Sequence, residues 1–259
     1  MIGKFLNYKL TDYIKVWHFL VFLIGIFVVP FLGSSFSEFF PFIFLPIAFD
    51  AASNGSTTGT SLTVAHTCTG TDRLLIVGVA QNSTTTDNIT GVTYNSVAMT
   101  LAVSQGSSPA NNWSQLWYLR NPASGNNNIV ISASPSTEMA SVNASYTGAD
   151  QLTQPDATNS NTAESVTSIA TSVTTVKDNC WAVIICSTDG GTVSASTNVT
   201  SRATSGTRYM IGDNNAAITP AGALSQTFTR DTSGRMVTAQ ISIMPPQPAV
   251  VAGGYAFII

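Results

Sequence analysis

Short apolar segments separated by turn residues make up the chain from residue 46 onward. Apolar and polar side chains alternate in residues 235–244, and residues 138–147 show the same alternation. Alternation over this length is typical of a β-strand with one face towards a core and the other towards water. Residues 74–80 and 181–186 are instead apolar at nearly every position. Such runs are typical of strands in the middle of a sheet, covered on both faces.

The remaining strands are predicted from β-branched and aromatic residues bounded by Gly, Asn, Asp, Ser and Thr turns. They cover residues 47–51, 61–66, 89–94, 99–104, 113–119, 127–133, 168–176, 208–212 and 224–229. No stretch after residue 46 keeps a 3.6-residue apolar period. The pattern therefore predicts an all-β fold, an antiparallel β-sandwich of jelly-roll or Greek-key type.

Two parts of the chain show the same order of segments. Residues 61–80 give a Thr- and Ser-rich strand, a polar turn and an apolar strand, and residues 168–187 repeat that order. Residues 129–146 and 226–243 each give a strand, a turn containing Ser-Thr or Thr-Ser, and an alternating strand. A sandwich built from two duplicated halves produces this pattern, and so do unrelated hairpins that happen to look alike.

Residues 17–33 form an apolar run without Asp, Glu, Lys or Arg. The length of the run lies at the lower limit of a transmembrane helix and at the upper limit of a signal-peptide core. Lys4, Lys9 and Lys15 precede it, so the positive-inside rule predicts a cytoplasmic N-terminus and an exported remainder. A helix buried in the domain is a weaker interpretation, because an all-β domain offers an apolar helix no obvious partner.

Two alternatives remain for this segment, a signal peptide cleaved after Ser35 and a retained membrane anchor. The predicted organisation has four parts. They are a cytoplasmic stub with the signal peptide or anchor over residues 1–35, an apolar linker over 36–45, an extracellular β-sandwich over 46–246 and a C-terminal tail over 247–259.

Composition supports an extracellular protein and argues against a nucleic-acid partner. Only 9% of the residues are charged, against roughly 25% in an ordinary domain. Ser, Thr, Asn and Gly take their place, as is common among extracellular β-proteins. The net charge is −3 and the arginines are scattered singly, so the chain lacks the clustered basic face that phosphate binding needs.

Candidate catalytic chemistry is sparse in the predicted exported part. Its only histidine is His66, which we interpret as structural, and no GxSxG motif accompanies it. The acids lie mostly in turns, and no pair shares a strand face as a glycosidase would need. Asp189 and residues 213–215 offer loop oxygens for calcium, but without a regular Asp-x-Asp pattern. We predict no catalytic residue, cofactor or metal site, and a hydrolase is the weakest interpretation.

Asn112, Trp113 and Trp117 are the best local candidates for ligand binding, because an aromatic surface beside an amide suits a glycan. The alternative, which the pattern favours, is that the two tryptophans are large strand residues packed against the core.

The chain has three cysteines, Cys68, Cys180 and Cys186. Cys68 and Cys180 each precede an apolar strand in corresponding places of the two suspected halves. In an oxidising compartment these two thiols are candidates for a disulfide. Cys186 is interpreted as a small buried apolar residue.

Five segments carry a resemblance to a known family. In chain order they are SLTVAHTCTGTDRLLIVGVA, ITGVTYNSVAMT, LWYLRNPASGNNNIVIS, VNASYTGADQLTQP and VTAQISIMPP. Over residues 46–246 the chain resembles the β-sandwich module of secreted and cell-surface bacterial proteins, which occurs alone behind a signal segment or in tandem in adhesin-like proteins. The resemblance implies a surface location and this fold, and it implies no catalytic residue.

The sequence thus predicts an exported, non-catalytic binding module, membrane-anchored through residues 17–33 or secreted, with adhesion as its role and a glycan as one candidate ligand. The alternative is a structural subunit of a surface layer or filament. In that case the uncharged tail, residues 247–259, would add as a strand to a neighbouring subunit, although it could equally pack on its own domain.

Overall fold

The computed structural model describes residues 46–82, 85–107 and 112–246. Within these ranges the chain is all-β with antiparallel pairing, which confirms this part of the predicted fold. The strands are β1 Ala48–Cys68, β2 Leu74–Asn82, β3 Ile89–Tyr94, β4 Val97–Ala98, β5 Thr100–Gly106, β6 Asn112–Arg120, β7 Gly125–Thr147, β8 Ala157–Thr174, β9 Trp181–Thr188, β10 Val193–Ala195, β11 Thr200–Ser205, β12 Tyr209–Asp213 and β13 Ala223–Ile243.

Both chain ends lie outside the described residues, including the predicted membrane segment at 17–33 and the tail at 247–259. In the part of the chain that the structure describes, no helix has the length and apolarity needed to cross a bilayer. Export, anchoring and strand exchange by the tail therefore stay predictions.

The first sheet joins β4, β3, β7, β2, β6 and β5 in that order, and β1 pairs along the other side of β7. The first part of β7 pairs with β3 and its last part pairs with β2. The sheet consequently curls until it nearly closes. Side chains such as Leu62, Val77 and Ile129 point into the curl and form a core that belongs to this sheet alone.

The second sheet repeats the first. Its order is β10, β13, β9, β12 and β11, with β8 along β13, so that β8, β9 and β13 take the places of β1, β2 and β7. The register also agrees. Leu62 of β1 pairs with Ile131 of β7, and the residues at the corresponding positions of the second half, Ile169 of β8 and Phe228 of β13, pair in the same way. Both β5 and β11 carry an irregularity at the same place, before Val103 and before Ala203. The predicted two-half repeat is confirmed in topology and register.

The apolar strands β2 and β9 are buried along their whole lengths, as predicted. Gly78 in β2 and Ile185 in β9 hold equivalent places and face each other, since a Cβ built on Gly78 would lie 2.8 Å from Ile185 Cδ1. The Ile185 side chain of the second half thus occupies the space that Gly78, which has no side chain, leaves free in the first half. A core contributed by both sheets surrounds this contact.

The prediction that one face of β7 and one face of β13 are turned towards water was wrong. Ser141, Asn143 and Ser145 of β7 are fully buried, and so are Thr238, Gln240 and Ser242 of β13. The curl of each sheet folds a second layer over these polar faces, and hydrogen bonds replace water there. Gln240, for example, donates to Gln226 at 2.8 Å.

The structure also lacks the predicted disulfide between Cys68 and Cys180. Cys68, Cys180 and Cys186 are free and buried thiols. Counting along the strands from Leu62 and Ile169, Thr175 stands where Cys68 stands in the first half, so the expected correspondence with Cys180 was wrong. Burial raises the pKa of Cys180 to about 12, and its thiol therefore stays protonated at neutral pH.

Candidate ligand-binding cleft

The repeat distinguishes side chains that the fold needs in both halves from those that only one half has. Asp50 accepts hydrogen bonds from the Thr69 amide and the Ser145 hydroxyl, both at 2.8 Å. Asp156, its counterpart, accepts from the Val176 amide at 2.7 Å and the Ser242 hydroxyl at 3.2 Å. Burial alone would raise the pKa of Asp50, but these hydrogen bonds outweigh it and lower that pKa. Because the arrangement recurs, we interpret both acids as structural.

The loop oxygens considered for calcium are bound to arginine. Asp189 accepts from Arg230 Nη1 at 2.6 Å. Asp213 accepts from Arg202 Nε at 2.7 Å and Nη2 at 2.9 Å, and from the Tyr146 hydroxyl at 2.8 Å. Within the described ranges no group of three or more His, Cys, Asp or Glu side chains is placed to hold a metal ion.

His66 forms a pair with Ser53, whose Oγ lies 2.8 Å from His66 Nδ1. The Asn143 amide donates to the same hydroxyl at 3.1 Å, which directs the Ser53 hydrogen towards the imidazole. The ring is only 2% exposed, and burial lowers the pKa of His66 to about 4 against a smaller opposing effect of Asp50. An imidazole with this pKa is a poor general base at neutral pH, so the pair does not favour a hydrolase.

His66 should make the domain sensitive to acid. Its pKa is about 4 in the folded protein and 6.5 in an unfolded chain, so folding favours the neutral ring. The resulting stability is complete above pH 6.5 and is lost as the pH falls towards 4, by about 3 kcal/mol in total. Urea unfolding of the wild type and of His66→Gln across this window measures the effect. We expect the variant to lose less stability on acidification, and parallel pH profiles would contradict the assignment.

The predicted ligand residues all lie on β6 but do not form one surface. Trp113 and Trp117 share a face of the strand, and Asn112 points to the opposite face. Trp117 packs against the core of the first sheet and donates to Gln115 Oε1 at 2.9 Å. The Asn112 side chain is completely buried and has no partner among the described residues. This placement fits packed strand residues better than an exposed glycan platform.

A cleft of about 290 Å³ opens where the turn between β11 and β12 lies against β1 and β7. Hydroxyl groups, one carboxylate, one guanidinium and one phenol line it. The lining residues are Ser56, Thr57, Thr58, Glu138, Met139, Ser205, Gly206, Thr207, Arg208 and Tyr209. They come from separate segments of both halves, so no local motif of the sequence could have indicated the site.

Glu138 lies at the centre of the polar contacts in the cleft. It pairs with Arg208 Nη2 and accepts from the Tyr209 hydroxyl and the Asn82 amide, both at 3.4 Å. The side chains of Glu138 and Arg208 are 35% and 28% exposed, so a ligand can reach both. The guanidinium lies over the Tyr209 ring at 5.2 Å. Burial, with a contribution from Glu138, raises the pKa of Tyr209, and the phenol remains a hydrogen-bond donor.

The two halves differ in the space beside one pair of corresponding glycines. Gln105 pairs with Ser114 as Ser205 pairs with Tyr209, so Gly106 corresponds to Gly206 and Trp113 to Arg208. A Cβ built on Gly106 would lie 2.9 Å from the Trp113 indole, whereas one built on Gly206 meets no described atom within 4 Å. The free space beside Gly206 is therefore not repeated at Gly106.

No family model matches this chain, and neither a curated protein nor a solved structure matches it. The function is consequently argued from the chemistry of the cleft. Two properties of the cleft bear on it, the accessible Glu138–Arg208 pair and the hydroxyl groups around it.

Proposed function

We propose that the chain is an exported, non-catalytic binding module, a β-sandwich that takes a neutral, hydroxyl-rich ligand such as a glycan in the cleft between β1, β7 and the β11–β12 turn. The observation that carries the proposal is the accessible Glu138–Arg208 pair in a hydroxyl-lined cleft. In the other half the space beside Gly106, the counterpart of Gly206, is occupied by the Trp113 indole.

The charges of the cleft suit a neutral polyol. The carboxylate of Glu138 can accept from two neighbouring hydroxyls of a sugar, while the Arg208 guanidinium donates to a third oxygen. Hydrogen bonds that involve one charged partner are about twice as strong as neutral ones. Because the two charges of the pair largely cancel at a distance, the cleft gives an ion of either sign little net attraction, whereas a neutral polyol can form hydrogen bonds with both groups.

The size of the cleft sets the extent of ligand contact. Its volume of about 290 Å³ is close to the lower end of the usual range for ligand sites, roughly 300 Å³. Such a cleft suits one small unit or the end of a longer chain. Binding one unit at a time gives weak single contacts, and repeated copies on a cell surface would strengthen them by avidity.

We expect the variant Glu138→Gln to lose affinity for the ligand of the cleft. The substitution keeps the shape of the side chain but removes its charge. A hydrogen bond to a charged group contributes roughly 1.5–3 kcal/mol, so affinity should fall about 10- to 100-fold. The measurement is a glycan-array screen of the full chain followed by calorimetric titration of the glycan it binds.

Asp72→Asn is the matched control, because it also exchanges one acid for its amide and lies on an exposed turn away from the cleft lining. Its affinity should equal that of the wild type. Equal affinity of Glu138→Gln and Asp72→Asn would contradict the cleft as the binding site. A wild-type chain that binds no glycan on the array would contradict the proposed ligand class.

A further inference from the structure

The chain enters and leaves the domain at one end, and the cleft lies at the opposite end. Ala48, at the start of β1, pairs with Thr147 at the end of β7. The Asp150 amide, just after β7, donates to the carbonyl of Met244, just after β13. Glu138 of the cleft precedes Thr147 by nine residues on β7. Because a strand rises about 3.3 Å per residue, roughly 30 Å separates the cleft from the end at which the chain enters and leaves.

Three loops form the surface of this end, and we name them the basal loops. They are residues 150–156, 175–179 and 214–222. Hydrogen bonds join them side by side. The Val176 amide donates to the Asp156 carboxylate at 2.7 Å, and the Asn179 amide donates to the Ile218 carbonyl at 2.8 Å. The basal loops therefore present one shared surface at the end where the chain enters and leaves.

Exposed apolar side chains concentrate on the basal loops. Leu152 is 84% exposed and Val176 is 70% exposed, the two highest values among the large apolar residues of the described ranges. Ala216, Ala217 and Pro220 of the third loop are exposed as well. Large apolar side chains grouped on a protein surface mark a place where another apolar surface is contacted.

The basal loops hold these side chains in fixed places and add one cation. The Asp150 carboxylate accepts from the Leu152 amide at 2.8 Å, and the Asp178 carboxylate accepts from the Ala221 amide at 2.6 Å. Lys177, next to Val176, is exposed and forms no salt bridge with another described residue. A free ammonium group beside exposed apolar side chains suits the boundary between lipid headgroups and acyl chains.

The sequence before the domain indicates which apolar surface is near the basal loops. Residues 16–45 contain one charged residue, Glu38, and residues 39–45 are apolar at every position. A chain of this composition is expected in or at a bilayer. It continues into Ile47, which packs with Tyr146 and Trp181 at the basal end of the shared core. A lipid surface is therefore the partner that the chain brings closest to the basal loops.

We propose that the basal loops lie on the surface of a phospholipid bilayer. Leu152 and Val176 enter the boundary between headgroups and acyl chains, and the Lys177 ammonium group meets the lipid phosphates. The domain then stands with its cleft roughly 30 Å from the membrane, directed towards ligands in the surroundings. The lipid contact does not depend on the proposed function, because the residues that form it are separate from the cleft.

The test places an environment-sensitive fluorescent label on one introduced cysteine at a time in the full chain. The variants are Leu152→Cys and Val176→Cys, with Thr204→Cys as the control, since Thr204 is exposed and precedes the cleft residue Ser205. The three native thiols are buried, so the folded chain is labelled at the introduced thiol. Each labelled chain is reconstituted in vesicles of phosphatidylcholine and phosphatidylglycerol, and the vesicles are isolated by flotation.

Two quenchers report where each label lies. A nitroxide near the headgroup end of the lipid acyl chains should quench the labels at 152 and 176 and leave the label at 204 unchanged. Iodide in the water should quench the label at 204 the most. The proposal requires lipid quenching at both basal positions. Equal lipid quenching at all three positions, or its absence at 152 or 176, would overturn the proposal, and so would a chain that does not float with the vesicles.

Glycan titration of the same vesicles separates this inference from the proposed function. Lipid quenching at 152 and 176 without glycan binding would support the basal contact and contradict the cleft as a glycan site. Glycan binding without lipid quenching would support the cleft and overturn the basal contact.

Discussion

Replacing Ile76 by aspartate is expected to prevent the domain from folding. Ile76 is fully buried on β2 between Tyr118 and Ala144, in the core that both sheets share. The substitution removes a buried side chain and places a carboxylate among apolar groups, which together cost roughly 5 kcal/mol or more. A loss of this size equals or exceeds the stability of many domains, about 5–15 kcal/mol. Circular dichroism and urea unfolding measure the outcome.

Ile184→Asp tests the second sheet separately. Ile184 is fully buried on β9 but points into the core that belongs to the second sheet alone. We expect the same loss of folding as for Ile76. Val97→Asp is the matched control, because Val97 is 52% exposed and should tolerate the charge. A soluble, cooperatively unfolding Ile76→Asp or Ile184→Asp protein would mean that these central strands are not buried.

Replacing Arg202 by methionine should destabilise the protein by about 3–5 kcal/mol, the usual cost of leaving a buried charge without its partner. The Asp213 side chain is 0% exposed and Arg202 is 13% exposed. Arg202 also lies over the Phe49 ring at 4.2 Å, while Tyr146 donates to Asp213 from the other sheet. The pair thus links the two halves, and urea unfolding measures its contribution.

Arg235→Met is the control for this prediction. Its partner Glu164 is 45% exposed, and pairs near the surface contribute only about 0–1 kcal/mol. Adding Asp213→Asn to Arg202→Met should recover part of the loss, because the buried charge is then gone. Equal destabilisation by Arg202→Met and Arg235→Met, or no recovery in the double variant, would contradict the interpretation of Asp213 as a buried ion.

The strands of the core could be predicted from the sequence because their signal is local. Residues 74–80 and 181–186 are apolar at nearly every position, and β2 and β9 are buried throughout. A strand covered on both faces needs apolar side chains on both faces, so its burial is visible in the sequence as a run of consecutive apolar residues. The order of turns and strands around these runs also identified the two halves, since duplicated chain segments keep the same spacing.

The edge strands were predicted only in part. β1 is continuous from Ala48 to Cys68, and β8 begins at Ala157, where the pattern indicated no strand. These segments are rich in Ser, Thr, Asn and Gly, which carry little apolar signal. Backbone hydrogen bonds to β7 and β13 hold them in place, and such bonds depend on a partner strand far away in the chain.

The all-β character, the central strands and the repeat could be predicted from the order of residues along the chain, because each of these depends on neighbouring residues. Which polar groups are buried, and which of them meet in a cleft, depends instead on how distant segments pack. Ser145 occupies a polar position in the alternating pattern of β7, as a surface residue would. The curl of its sheet nevertheless buries it against Asp50. Glu138 and Arg208 lie far apart in the chain and meet because the two halves pack with β11 and β12 against β1 and β7. Contacts between distant segments follow from how the sheets curl and face each other, and no local pattern encodes that arrangement.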